Sequence, residues 1–197
     1  MAEIKSTMDL VMERMARMTA NTAEPVNNDE DNEKIGMKAA AAYLDNTLAD
    51  LTQELGQHPP EAQKAVFSGA TKILLRNVLL PRDERLQERS DSALNGIITI
   101  AQALNAAEVS QVCAELQQIL QQYNQHKDQV TQQVEEAMRG QLEQQYAGRG
   151  VDPSQIRASM HPKYNEEMSK VHQDLNGQYI QAMDQRKDMI MQQLGLA

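Results

Sequence analysis

Aromatic residues are scarce in this sequence. Among 197 residues there is no tryptophan, one phenylalanine and five tyrosines. A core must therefore be built from aliphatic side chains and from methionine, which occurs 12 times. Because ligand pockets are usually lined by apolar and aromatic side chains, we expect no large cofactor site. The sequence predicts no cofactor and no small-molecule substrate.

Cysteine occurs once, as Cys113, so no disulfide can form within the chain. It lies between Val112 and Leu116 on an apolar face of a predicted helix. No basic residue near it in sequence would stabilise a reactive thiolate. We interpret Cys113 as a buried structural thiol and not as a nucleophile.

Catalytic and metal-binding motifs are also lacking. The sequence has no glycine-rich phosphate loop, no GxSxG, no HExxH and no CxxC. The histidines lack the Glu-x-x-His spacing of helical metal sites. The acidic run from Asp29 to Glu33 has the start of a calcium loop, but Lys34 and Ala40 stand where glycine and glutamate are needed. We therefore predict no metal, no catalytic residue and no enzyme activity.

Positive charge and long apolar runs are both limited. The chain has 19 basic and 28 acidic residues, a net charge of −9, and its arginine-rich stretch at 76–89 is interleaved with carboxylates. Nucleic acid binding needs a basic face, so we predict no binding of nucleic acid.

Long apolar runs are lacking as well. The apolar run "GIITIAQAL" is far shorter than the ~20 residues of a membrane span, and no secretory signal precedes it. A cytoplasmic protein without a membrane span is expected.

The first twenty residues predict an amphipathic helix. Ser6 and Asp9 resemble a capping box. Methionines then recur every three or four residues, at Met8, Met12, Met15 and Met18. Because methionine adapts to varied surfaces, the stripe on residues 1–20 either packs in the core or binds a partner.

A helical bundle is predicted after an acidic linker. Residues 21–34 are polar with almost no apolar side chains, which is typical of a flexible linker. Helices with apolar stripes are then predicted at 35–55, 60–80 and 82–104. Glycine and proline mark the short turns between them, so we expect an antiparallel bundle over residues 35–105.

The rest of the chain predicts a long helical hairpin. Asn105 and Glu108 predict a capped start, and a helix over 106–146 would span ~60 Å. Apolar residues recur at threes and fours along it, at Val109, Val112, Leu116, Ile119, Tyr123, Val130, Val134 and Met138. A second stripe follows Tyr164, at Met168, Val171, Leu175, Tyr179, Met183, Ile190 and Leu194. We therefore predict an antiparallel, coiled-coil-like hairpin over residues 106–197.

The predicted tip of the hairpin, residues 147–163, is longer than a chain reversal requires. Two glycines and two prolines punctuate it: Gly148, Gly150, Pro153 and Pro162. It also carries a basic cluster on an otherwise acidic chain, at Arg149, Arg157, His161 and Lys163. This cluster is either a solvated loop or a contact site for a partner.

Two resemblances accompany these patterns. The opening "MAEIKSTMDLVMERM" and the turn "GRGVDPSQ" resemble a family of small uncharacterised bacterial helical proteins. That resemblance implies no known activity. Long helical arms with Met- and Gln-rich surfaces are similar to those of helical chaperones such as prefoldin and the arm region of trigger factor, which implies a chaperone-like binder.

The sequence therefore predicts an all-α protein in which a helical bundle precedes a long hairpin. Our first hypothesis is a non-enzymatic cytoplasmic interaction protein, an accessory or assembly subunit or a chaperone-like binder. It would use the hairpin and the Met-rich first helix to bind a partner protein, as a homodimer or a hetero-complex. The alternatives are a helical-bundle enzyme or metal carrier and a self-assembling structural protein.

Overall fold

A computed structural model describes residues 29–149 and 152–196. Every regular element in these ranges is helical, which confirms the all-α prediction. The α-helices are α1 (Asp29–Leu44), α2 (Leu51–Gly56), α3 (Pro60–Asn77), α4 (Glu84–Ala103), α5 (Glu108–Tyr146) and α6 (Tyr164–Gln193). Two 3-10 turns, Pro153–Gln155 and Ala158–Met160, connect α5 to α6.

The first described helix begins at Asp29, six residues before the predicted start at Ile35. Residues 29–34, assigned to the linker by their composition, are therefore helical; residues 21–28 lie outside the described residues. Three acidic residues occupy the first turn of α1, where they interact favourably with the positive end of the helix dipole. Lys72 anchors this end to α3 through an ion pair with Glu33 at 2.7 Å.

The single helix predicted over 35–55 is wrong, because the chain turns between α1 and α2. Asn46 takes a φ of 57°, a left-handed conformation that asparagine tolerates and that ends helices. The next amide, of Thr47, bonds back to the Ala42 carbonyl at 2.9 Å. Asp50 then accepts a hydrogen bond from the Gln53 amide at 2.9 Å and caps α2.

Helices α1 and α3 run in the same direction, so the bundle is not the fully antiparallel one predicted. The start of α1 contacts the middle of α3 through Glu33 and Lys72. Their ends lie together as well, because Arg89 bonds both Asp45 and Asn77. The extra turn and α2 return the chain between these two helices, which makes the parallel pairing possible.

Glycines let α1 and α3 approach backbone to backbone. A Cβ atom built on Gly36 would collide with the Val66 carbonyl and the Ala70 amide nitrogen. One built on Gly69 would collide with the Glu33 backbone. This contact therefore requires glycine on both helices.

Asn105 ends α4 and does not cap α5 as predicted. Its φ is 55°, and the Ala106 amide after it bonds to the Ala101 carbonyl at 2.8 Å, as in a Schellman motif. Helix α5 begins three residues later without a side-chain cap. An asparagine between two helices can end the first helix or cap the second. Asn105 has a left-handed conformation, so it ends α4.

The hydrophobic core lies where α1–α4 pack on the first third of α5 and the last third of α6. We call this part the body. Its central side chains are fully buried aliphatics, among them Leu74, Leu94, Ile97, Ile100, Val109, Leu116 and Ile190. Burying a side chain of this size stabilises the fold by about 1.5–3 kcal/mol before entropy is counted, so stability is concentrated here.

Beyond the body, α5 and α6 continue as an antiparallel pair. We call residues 124–149 and 152–175 the arm. Its register follows from three contacts that pair Tyr123 with Asn176, Thr131 with His172 and Glu135 with Tyr164. Among the described helices none is long and apolar enough to cross a membrane.

Candidate functional site

One cavity lies where the arm leaves the body. It has a volume of about 470 Å³, within the range of ligand-sized pockets. We call it the base groove. It is lined by the α3–α4 loop with the start of α4, and by α5 and α6, through Val78, Leu79, Leu80, Arg82, Leu86, Tyr123, Asn176, Ile180, Met183, Asp184 and Lys187.

The base groove has an apolar middle between two polar ends. Leu79 and Ile180 are 45% and 48% exposed, two of the few large apolar side chains at the surface of the described residues. At one end the Tyr123 hydroxyl donates to Asn176 Oδ1 at 2.8 Å. At the other end Lys187 Nζ lies 3.9 Å from Asp184 Oδ1.

Burial shifts the pKa of one titratable side chain at each end of the base groove. Burial raises the pKa of Tyr123, while the nearby positive charge of Arg82 opposes that shift. Burial also lowers the pKa of Lys187, and the Asp184 carboxylate opposes this. The groove is therefore partly shielded from water at both ends, with a cation at each.

A polar network joins the two helices at the start of the arm. The Tyr123 and Tyr179 rings meet edge to face at 5.3 Å. Thr131 Oγ1 donates to the Lys127 carbonyl at 2.7 Å and lies 2.9 Å from His172 Nε2. The seam of the arm thus depends on specific hydrogen bonds as well as on apolar packing.

A second cavity, about 370 Å³ in volume, lies near the tip of the arm. We call it the arm groove. Its floor is partly apolar, with Val134, Met138 and Val171, and His161 and Lys163 stand at its edge. It is lined by Val134, Ala137, Met138, Gln141, His161, Lys163, Glu167 and Val171.

The structure divides the predicted basic cluster of the tip. His161 and Lys163 line the arm groove. Arg157 instead lines a more polar cavity beside Glu135 and Glu136. Arg149 is exposed in the turn that follows α5. These residues therefore do not form a single basic surface, although each is near the end of the arm.

The tip is organised by local capping. Asp152 accepts a hydrogen bond from the Ser154 amide at 2.9 Å, and this bond lowers its pKa. Ile156 is buried beneath the turn and Met160 is 58% exposed. The described residues of the tip thus form a structured surface that exposes Met160.

The other predicted contact residues, Met8, Met12, Met15 and Met18, lie outside the described residues. Cys113 is fully buried, and burial raises the pKa of its thiol to about 11. This agrees with its interpretation as a structural thiol. Within residues 29–149 and 152–196 no group of three or more metal-ligating side chains is close enough to hold an ion.

Sequence reasoning missed the base groove. It joins residues 78–86 to residues 176–187, which are about a hundred positions apart, and nothing in the stripes fixes that contact. One local signal was present: the run "VLLPR" places Leu79 and Leu80 directly before a helix-breaking proline. Apolar residues in a turn either enter a core or line a surface cavity, and here they do both.

Comparison with protein-family models places most of the chain in a family. A family model described as "Family of unknown function (DUF6657)" matches residues 52–192. This span runs from α2 into the last turn of α6 and includes both grooves. No curated protein and no solved structure matches the chain.

Proposed function

The chain belongs to this family of unknown function (DUF6657), and we propose that it is a non-enzymatic, cytoplasmic protein-binding protein that holds a partner protein with its arm. Its role would be that of an accessory or assembly subunit, or of a chaperone-like binder. The stripe of Met8, Met12, Met15 and Met18 is predicted either to pack in the core or to serve as a second contact.

One observation carries this proposal: the arm extends from the body as a pair of helices with apolar residues incompletely covered. Val130, Val134 and Val171 are only half-buried along the arm. Met160 is 58% exposed at its tip. Apolar side chains that the described residues cover incompletely favour a protein contact, and a groove between two helices suits a helical or extended segment.

The chemistry of the arm groove favours a partner segment of mixed character. Val134, Met138 and Val171 offer an apolar floor, and methionine adapts to differently shaped side chains. His161 and Lys163 at the edge would attract an acidic residue of the partner. We therefore propose a partner segment that presents apolar residues on one face and a carboxylate beside them.

Site-specific photo-crosslinking in the source cell tests this proposal. A photoreactive amino acid at Gln141, an exposed residue of the arm groove, should give an adduct with one or a few defined proteins. Gln118 is the matched control, because it is an exposed glutamine of the same helix within the body. Val134→Asp should abolish the Gln141 adduct by placing a charge in the apolar floor.

Two outcomes would contradict the proposal. Equal adducts at Gln141 and Gln118 would mean that the arm has no special role. An unchanged Gln141 adduct in Val134→Asp would mean that the groove floor does not contact the partner. The alternative function, a helical-bundle enzyme or metal carrier, has its own test. A stoichiometric transition metal in the purified protein would favour this alternative.

A further inference from the structure

The base groove combines apolar walls with a net positive charge. Its charged side chains are Arg82, Lys187 and Asp184, two cations against one carboxylate, on a chain whose net charge is −9. The apolar side chains come from the α3–α4 loop, from α4 and from α6: Val78, Leu79, Leu80, Leu86, Ile180 and Met183. A site of this composition favours a ligand that is largely apolar and carries one anionic group.

One end of the base groove offers hydrogen-bond donors to an anion. Arg82 forms no ion pair with a carboxylate of the described residues, and it lies near enough to Tyr123 for its charge to act on the pKa of that hydroxyl. The Tyr123 hydroxyl donates to Asn176 Oδ1, which leaves the two N–H donors of the Asn176 amide for another acceptor. Arg82 and Asn176 can therefore both donate to a carboxylate at this end.

The other end of the base groove suits an anion less well. Lys187 Nζ lies 3.9 Å from Asp184 Oδ1, so a carboxylate already opposes its charge. The Lys187 side chain is only 19% exposed, whereas that of Asp184 is 62% exposed. The methylene groups of Lys187 are thus buried and extend the apolar wall. This contrast gives a ligand one direction, with its anionic group at the Arg82 end and its apolar part towards Lys187.

The distance between the two ends sets the length of the ligand. The α6 residues of the groove run from Asn176 to Lys187, about 16 Å of helix, which is about the length of an extended chain of twelve carbons. Such a chain would cover Leu79 and Ile180, the exposed apolar side chains of the groove. We propose that the base groove binds a linear aliphatic carboxylate, a fatty acid of medium chain length, with its carboxylate at Arg82 and Asn176 and its chain between Leu79 and Ile180.

Titration calorimetry of the full chain with straight-chain carboxylates, from octanoate to tetradecanoate and below their micelle concentrations, tests the length of the site. A methylene that leaves water completely strengthens binding about fourfold. Because the groove is open on one side, we expect binding to tighten about twofold for each methylene up to dodecanoate. Tetradecanoate should bind no more tightly than dodecanoate, since its last carbons would pass the Lys187 end.

The carboxylate end is tested with decanol, a neutral analogue of decanoate, and with a charge variant. Decanol should bind about tenfold more weakly than decanoate. Arg82→Gln should weaken decanoate binding about tenfold and leave decanol binding unchanged. Arg85→Gln is the matched control, because it removes the same charge from an exposed arginine nearby that does not line the groove. Both arginines are exposed, so neither variant should unfold the chain.

The apolar wall is tested at Ile180, with Met189 as its control. Ile180→Gln should weaken the binding of both decanoate and decanol about fivefold, because it replaces apolar surface that the chain covers. Met189→Gln should change neither, since Met189 is also exposed but lies nine residues along α6 from Ile180, on the opposite helix face.

Four results would overturn this assignment of the base groove. They are the absence of dodecanoate binding, an affinity that does not rise with chain length, decanol binding as tight as decanoate binding, and equal effects of Arg82→Gln and Arg85→Gln. The first two would mean that the groove holds no aliphatic chain. The last two would mean that its Arg82 end does not recognise a carboxylate.

The base groove and the arm groove share no residue. The arm groove is built from residues 134–141 and 161–171 and the base groove from residues 78–86, 123 and 176–187. A fatty acid in the base groove would be a ligand and not a substrate, so it is compatible with a non-enzymatic role. A failed titration therefore leaves the Gln141 crosslink unaffected, and the reverse also holds.

Discussion

The body and the arm use the same helices but different kinds of packing. In the body, Leu116 and Ile190 are completely buried among the side chains of α1–α4. In the arm, Val130 and Val134 of the same α5 stripe are only half-buried, and hydrogen bonds from Tyr164 and between Thr131 and His172 connect the helices. The difference teaches that an apolar stripe predicts a helix face, whereas the number of neighbours determines how deeply that face is buried.

Glycine shows the same contrast. Gly36 and Gly69 in the body have backbone atoms where a Cβ would lie, whereas Gly140 and Gly177 on the hairpin have nothing within 4 Å. The body glycines are required by a close contact between helices. Those of the hairpin are not required by packing, so they only lower helix propensity.

The largest expected effects come from placing a charge at a buried leucine, either in the part of α5 that belongs to the body or in α6 where the arm begins. Leu116→Asp puts a carboxylate into the fully buried core and should lower the free energy of unfolding by about 4 kcal/mol or more, a large share of a typical ~5–15. Leu175→Asp, where the arm meets the body, should cost about 2 kcal/mol, because this seam can open locally. Urea melts of both variants measure the difference.

The controls for this pair are Gln118→Asp and Gln132→Asp, both at exposed positions of α5. Each should change the free energy of unfolding by less than ~0.5 kcal/mol. Equal destabilisation by all four substitutions would break the comparison, because it would show that burial does not differ between faces or between regions.

The next largest effect is expected at the contact between α1 and α3. Gly36→Ala adds a methyl group that collides with the Val66 carbonyl and the Ala70 nitrogen. Because backbone atoms cannot move without shifting a helix, we expect a loss of about 3 kcal/mol. A thermal melt with an unchanged midpoint would mean that α1 does not pack closely on α3.

A smaller effect tests the polar junction between the two regions. Tyr123→Phe removes the donor to Asn176 Oδ1 and should cost about 1 kcal/mol. Tyr164→Phe removes a bond to Glu135 at a more solvated position and should cost less than ~0.5 kcal/mol. If denaturation curves rank these two variants in the opposite order, the junction is not a buried contact.

The smallest effect has the opposite sign. Gly140→Ala in the arm should increase the free energy of unfolding, or slow hydrogen exchange in the arm, by about 0.5–1 kcal/mol, because alanine favours the helix and meets no neighbour. Destabilisation by Gly140→Ala would indicate a close contact at this position and would contradict the open packing of the arm.

Helix positions were largely readable from the sequence. Pro60 begins α3 as predicted, and α5 and α6 lie close to the bounds expected from their stripes. The break after Leu44 was missed although its signals are local: Asn46 takes a left-handed conformation and Asp50 caps the next helix. The continuous leucine spacing across 44–55 concealed them.

The way the helices assemble was not readable. The parallel pairing of α1 and α3 follows from the return through α2 and from the Gly36 and Gly69 contact, and an isolated glycine in a helical pattern does not identify its partner. The base groove likewise depends on the register between α5 and α6, which repeating stripes leave open. Long-range contacts of this kind require the structure.

Hydrogen exchange of the full chain tests most directly whether a stable body carries a separately opening arm. We predict that amides of residues 127–144 exchange through local opening at a free energy at least ~2 kcal/mol below that of residues 94–101 and 112–120, because the arm has fewer buried apolar contacts. A uniform opening free energy along the whole of α5 would contradict this account, since it would mean that the arm and the body unfold as one unit.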